Sequence, residues 1–372
     1  MQGWRGDHED SHILLPEWDS GWSLFGVCDG HAGDRAASFV AKRLPFLLQK
    51  HTDAKRATDG ITDAFLACDE EYRMEKNNSD GTTVCISMAR KLADGNFEVR
   101  IANCGDSRCL LVAPDKLKSP DVAEVQMDKI SHISNTDAGL LFETEDHKPD
   151  APTEKARIEN CGGFVSTDDP ARLDGVIAVS RVVGDFAYKA DENRPATDQK
   201  MLAVPDVSTV IVKPGDLLVV ACDGLFEVMT SAEVARQISL RLRRSKDLAQ
   251  IASDVLRTCL RWDTKDNMTL LIAQLGVTAE SPIGADEEEL VLGDFNSRPE
   301  QKEKYESFFR KSGFPTLPFP CDVCSRIFKS MSQCPCRQAV YCGVTCQKQA
   351  WREHKRRCSV HVNAGAAATK KR

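Results

Sequence analysis

Residues 25–33 read FGVCDGHAG, an apolar run that halts at Asp29, Gly30 and His31. Asp-Gly between apolar runs is a strong hairpin signal, yet no alternating strand follows, and His31 leads into a helical pattern from Arg35 to Leu48. The spelling returns at 220–224 as VACDG, where Gly224 runs into LFEVM and another helical pattern. A repeated strand end that sets a carboxylate beside a glycine points to a site rather than to two turns. Other acids stand at apolar boundaries: Glu9 and Asp10 in HEDSH, Asp106 in NCGDSR, Asp185 in VVGDF and Asp266 in TKDNMTLLI. Singly, such residues are solvated caps and turns. Together they offer the hard oxygen donors that Mg²⁺ and Mn²⁺ prefer.

Outward from this stretch, strand-like runs lie at 22–28, 82–89, 97–103, 108–113, 176–180, 207–212, 217–222 and 268–275. Several are separated by short turns, which favours antiparallel sheets with helices packed outside over a doubly wound parallel sheet. Helices are expected at 58–75, where Ile61, Phe65, Cys68 and Tyr72 recur at three and four, and at 247–261, where Ile251, Val255 and Cys259 do the same. Thr230 and Glu233 form a capping-box pattern ahead of Val234, Ile238 and Leu242.

The 372 residues suit one large domain and something smaller. A balance of 49 Lys+Arg against 56 Asp+Glu, net −7, argues against wholesale binding to nucleic acid or to an anionic membrane. The absence of an 18-residue apolar stretch and the charged start MQGWRGDHED predict a soluble chain of the cytoplasm or nucleus. Fifteen cysteines without a signal peptide read as reduced thiols; eight scatter before residue 260 and seven crowd into 321–358. Cys28 and Cys222 precede the two Asp-Gly pairs, but neither sits in a basic Cys-x₅-Arg loop, so both read as buried small hydrophobes.

The segments MQGWRGDHED, FGVCDGHAG, GTTV, IANCGDSR, EDHKPDAPTEKARIENCGGFV, RLDGVIAVSRVVGD, VPDV, LLVVACDGLFEVM and DNMTLLI follow one another in an order that resembles the metal-dependent protein serine/threonine phosphatases of type 2C. The resemblance runs over 1–276 and implies an α+β fold of two packed antiparallel β-sheets flanked by helices, with metals at one end. Carried over residue by residue, Asp29 resembles the carboxylate bridging two Mg²⁺ or Mn²⁺ ions, and Gly30 offers its carbonyl to one of them. Asp223 and Asp266 match ligands of the other ion, Glu9 a ligand acting directly or through water, and Asp10 a holder of bound water. Asp106, with Asp223, matches the ligands of a weaker third ion. Arg5 resembles the phosphate-gripping arginine and His31 the acid near the leaving group. The chemistry suits the residue types: two cations about 3.5–4 Å apart turn a shared water into the nucleophile, so no catalytic Ser or Cys is needed. A planar guanidinium holds two phosphate oxygens at once, and an imidazole with a pKa of about 6.5 can protonate a departing alkoxide.

Three departures from the family pattern stand out. The chain starts where the family has a further strand, which predicts a sheet without that edge. HAG replaces HGG at 31–33, a mild change unless residue 32 needs a positive φ. The connection 114–140 is long and polar and reads as a surface loop, while a flap is expected at 162–195.

From 277 to 320 the chain turns polar and Pro-rich, a linker in which Pro299 and Gly313 bracket a short helix. The stretch 321–358 pairs Cys-x₂-Cys, Cys-x₃-Cys and His-x₃-Cys, enough for two closed tetrahedral Zn²⁺ sites. Its ending, YCGVTCQKQAWREHKRRC, resembles a MYND zinc finger. Interleaved ligation in that family implies Cys321, Cys324, Cys342 and Cys346 on one zinc, and Cys334, Cys336, His354 and Cys358 on the other. Cys334 and Cys336 are spaced Cys-x-Cys where the family has Cys-x₂-Cys, which predicts a strained second site. The formal +6 of 321–358 falls to +3 once two Zn²⁺ and seven thiolates are counted, too little to favour nucleic acid over a peptide partner. The tail 359–372 is small, basic and reads as disordered. The combined expectation is a monomeric phosphoprotein phosphatase with a recruiting finger; the alternative is a catalytically impaired adaptor acting through the finger.

Overall fold

The computed structural model describes residues 1–51, 57–118, 133–277, 289–290, 321–324, 327–328, 331–336 and 339–358. The chain divides into two units, Met1–Val277 and Thr278–Arg372. In chain order the first runs β1 (Ser11–Asp19), β2 (Trp22–His31), α1 (Arg35–His51), α2 (Ala57–Arg73), β3 (Gly81–Lys91), β4 (Phe97–Cys104), β5 (Arg108–Val112) and β6 (Leu140–Glu143). It continues through α3 (Pro152–Asn160), β7 (Val183–Gly184), β8 (Asp206–Val212), β9 (Leu217–Ala221), α4 (Asp223–Phe226), α5 (Ser231–Leu242), α6 (Leu248–Arg261) and β10 (Leu270–Gln274).

One antiparallel sheet has the order β1-β2-β3-β4-β8, with β7 added to β3; the other has the order β10-β9-β5-β6. The chain crosses between them at 105–107 and at 213–216, both tight connections that carry no helix. Side-chain alternation gives β2 two buried faces. Phe25 and Val27 join Cys85, Cys109 and Val220 between the sheets, where Ser87 Oγ meets Cys109 Sγ. Leu24 and Cys28 join Val40, Leu44, Ile61 and Phe65 of α1 and α2 on the outer face. That is why FGVC reads as a continuous apolar run.

Four elements depart from the sequence reading. β1 is a strand although SHILLPEWD carries Pro16 and two acids; it is an edge, and Pro16 falls in the shifted register between Leu15 and Asp19, where no ladder donor is required. The described part of the 114–140 connection ends in β6, a four-residue strand starting at Leu140 that pairs with β5. Residues 176–180 do not form a strand. Leu173 and Ile177 close a turn, and Val179 and Val182 instead fill a small third core with Ile158, Leu173 and Met201. The capping box at α5 is half formed: Thr230 Oγ1 accepts from the Glu233 N–H at 3.2 Å, while Glu233 Oε1 accepts from Arg236 and Gln237.

In the second unit Glu289–Leu290 pairs with Ile327–Phe328, so the linker stretch contains a short strand, and Ser332–Gln333 pairs with Val340–Tyr341. A helix, Val344–Arg357, follows. The expected helix after Pro299, residues 119–132 of the connection and the tail 359–372 lie outside the described residues. Among the described residues no helix is long and apolar enough to cross a membrane.

Candidate metal centre

Both Asp-Gly pairs sit where other backbone presses against a strand end. A Cβ on Gly30 would collide with the Glu9 carbonyl oxygen, and one on Gly224 with the Asn267 carbonyl oxygen. The glycines therefore admit the segments that carry Glu9, Asp10 and Asp266. Asn267 ties these segments together: its Nδ2 donates to the Gln2 and Asp7 carbonyls at 2.8 and 3.0 Å, and its Oδ1 accepts from the Glu9 N–H at 2.9 Å. Sequence reading gave Asn267 no role, since an amide beside an aspartate carries no distinctive spacing.

A cavity of about 800 Å³ is bordered by Arg5, Asp29, Gly30, His31, Asp106, Asp223 and Asp266. Asp29 comes from the end of β2, Asp223 from the start of α4 after β9, Asp266 from the segment before β10, and Asp106 from the β4–β5 crossing. Arg5 reaches Glu9 at 3.6 Å and Asp266 at 3.4 Å. Asp10 lies behind the cavity, with ligand atoms of Asp10, Asp29 and Cys222 all within 4.8 Å of one another. One Asp10 oxygen accepts from Thr269 Oγ1 at 2.7 Å; the other, Oδ1, is buried without a hydrogen-bond partner.

Crowding of like charge shapes the electrostatics. Burial, then the charges of Asp10, Asp223, Asp106 and Asp266, hold the Asp29 acid well above the usual carboxylate range. Burial, Asp106 and Asp266 push Asp223 up to about 7. Asp10 and Asp266 are also raised, chiefly by burial. A set of carboxylates that resist ionising together, with an orphaned buried oxygen among them, fits hard divalent cations, which restore the anionic form and use oxygen donors. The neighbouring thiols of Cys28 and Cys222 are pushed up by burial, which leaves them protonated and inert.

At the other side of the cavity, His31 Nε2 meets Asp185 Oδ2 at 2.6 Å. Burial lowers the His31 pKa, but the Asp185 hydrogen bond and charge outweigh it, and the net shift is upward. Gly81 is the window for this pair, since a Cβ there would sit 2.7 Å from both the imidazole and the Asp185 carboxylate. Asp185 stood out in sequence only as an acid at an apolar boundary; the His31 contact spans 154 positions and leaves no local signature.

In the second unit, ligand atoms of Cys321, Cys324, Cys342 and Cys346 gather within 4.8 Å of one another, and those of Cys334, Cys336, His354 and Cys358 do likewise. His354 Nε2 lies 3.3 Å from Cys334 Sγ and 3.4 Å from Cys336 Sγ, so the short Cys-x-Cys spacing still brings both sulfurs to one point. Backbone N–H groups around Cys321 outweigh its burial and bring that thiol down to about 7. Two soft tetrads of this kind suit closed tetrahedral metal sites.

Comparison with known proteins agrees with this geometry. Residues 1–268 match the protein phosphatase 2C family model, and residues 321–358 match the MYND finger model. The chain is 30% identical over 336 residues to protein phosphatase 1B of Rattus norvegicus, covering 86% of this chain and 78% of that one. It is 32% identical over 286 residues to protein phosphatase 1A of Homo sapiens, covering 73% and 68% respectively. A crystal structure of a phosphatase from Toxoplasma gondii is similar with a TM-score of 0.64 and 28% identity, over 76% of this chain and 92% of that one.

Proposed function

The chain belongs to the protein phosphatase 2C family and carries a MYND finger, and on that premise we propose that it hydrolyses phosphoserine and phosphothreonine in proteins at a binuclear Mg²⁺ or Mn²⁺ site. The observation that carries this reading is the gathering of Asp29, Asp106, Asp223 and Asp266 around one cavity with Arg5 and His31. Asp29 with the Gly30 carbonyl, Asp223, Asp266, Glu9 and Asp10 would hold the two ions, which when bound supply a hydroxide nucleophile and offset charge on the phosphoryl group. Arg5, about half exposed at the rim and leaning on Glu9 and Asp266, would grip two phosphate oxygens. His31, kept charged by the proton its Nε2 shares with Asp185, serves as donor to the departing Ser or Thr alkoxide. The ring cannot swing freely while that contact holds.

The finger completes the proposal. Its two tetrads take Zn²⁺, and a module this small depends on those ions to fold. We assign it a peptide or protein ligand, so that it recruits substrate or scaffold for a monomeric enzyme of the cytoplasm or nucleus.

The test is turnover of a phosphothreonine peptide by the full chain, freed of divalent ions and titrated with Mn²⁺, with Asp29→Ala as control. Mn²⁺-dependent turnover that vanishes in Asp29→Ala is expected. Turnover without a divalent ion, or turnover retained in the variant, would overturn the assignment.

A further inference from the structure

Asp106 is an acid of the cleft to which the fold has delivered a lysine: Lys148 Nζ donates to Asp106 Oδ2. The carboxylate is almost wholly buried, whereas the ammonium is partly exposed. Asp106 borders the catalytic cavity beside Asp223. Lys148 does not border it and lines a separate polar cavity of about 460 Å³ with Arg108 and Asp146. The ammonium thus reaches the carboxylate from the side away from the cleft.

This pair is built into the backbone. The His147 N–H donates to the Gly105 carbonyl at 2.9 Å, and the Gly105 N–H donates to His147 Nδ1 at 3.0 Å. The Ser180 N–H donates to the His147 carbonyl at 2.9 Å. His147 Nε2 lies 3.2 Å from Asp206 Oδ2. Residues 105 and 147 are therefore clamped together, and their successors, Asp106 and Lys148, are held face to face.

Building on the metal-dependent reading above, we propose that Lys148 is a tethered cation that competes with a soluble divalent ion for Asp106. An ion shared by Asp106 and Asp223 must displace or face this ammonium. It binds weakly for that reason, while ions on Asp29 and Asp266 do not meet Lys148. A lysine that only neutralised a buried acid would leave the divalent ions' affinities unordered by its removal.

The full chain, kept zinc-replete and stripped of other divalent ions on a chelating resin, is titrated with Mn²⁺ while free Mn²⁺ is counted by electron paramagnetic resonance. Lys148→Met, with Lys148→Gln as a second neutral variant, is expected to tighten the weakest Mn²⁺ class by about tenfold or more, the size of effect that one unit charge a few ångströms away exerts near a protein surface. The tighter classes stay in place, Lys148→Arg keeps the weak class weak, and Asp106→Asn removes it in every background. A weak class appearing only in the neutral variants also supports the proposal. An unshifted weak class in a folded neutral variant overturns it, as does equal tightening of every class. Wild-type protein that binds no Mn²⁺ at all overturns the metal reading itself.

Discussion

Ala32 holds φ at 60°, in the left-handed region where a Cβ crowds the following carbonyl. Residue 32 thus does require the conformation that glycine adopts freely. Relief of about 1–2 kcal/mol of strain, less the 0.5–1 kcal/mol entropic cost of a glycine, predicts that Ala32→Gly raises stability by about 0.5–1 kcal/mol. Chemical denaturation with the metal content fixed measures it. One residue upstream of that strain, the His31–Asp185 contact predicts a split between leaving groups. His31→Ala should slow phosphothreonine peptide turnover by about a hundredfold and spare p-nitrophenyl phosphate, whose leaving group needs no proton. Equal losses on both would remove His31 from the acid role. Asp185→Asn leaves burial, which lowers the His31 pKa, without the partner that raises it. The alkaline fall in peptide turnover should then move to lower pH, read from kcat against pH. The acids of the centre were legible in sequence because each stands at the boundary of an apolar run. The partners of Asp185 and Asn267 were not, because the fold alone brings them together.

At the scale of elements, the segment between α3 and β8 has little regular structure and is held by ion pairs. Glu154 on α3 receives Arg157 at 2.7 Å and Arg181 at 2.8 Å, and Arg181 reaches on to Asp206 at 2.7 Å. At the far end Lys189 Nζ donates to Asp69 of α2 at 2.7 Å. Burial pushes the Glu154 acid up, but the two arginines and the Ser180 hydroxyl hold it down to about 2, against 4.5 unfolded. A lowered folded pKa contributes stability that is complete above 4.5 and is lost as pH falls toward 2. Acidification from pH 6 to pH 3 should therefore cost the wild type on the order of 2 kcal/mol more than Glu154→Gln. Urea melts at both pH values decide it; parallel losses would show the network titrates elsewhere. The same segment marks the limit of periodicity. The apolar run 176–180 reads as a strand, yet Val179 fills a local core, Val176 is exposed and the run finds no ladder. β2 and β9 were legible because both faces are buried, whereas β1 was hidden by a proline that the edge register tolerates.

For the whole molecule, the two units offer different donor atoms to ions. The tetrads of the finger offer sulfur and imidazole, and the cleft offers oxygen. A thiophilic chelator should unfold the helix Val344–Arg357, seen as lost helical circular dichroism, while Mn²⁺ restores peptide turnover to its former rate. Turnover that does not return would mean the units depend on each other. Within Met1–Val277 the cleft straddles the sandwich: Asp29 ends a strand of one sheet, while Asp223 and Asp266 flank strands of the other. Phe25 and Val27 on one side and Leu218 and Val220 on the other therefore act as a spacer gauge. The thickness of that apolar filling sets how far apart the facing acids stand, so residues that never touch an ion calibrate the gap in which ions must fit.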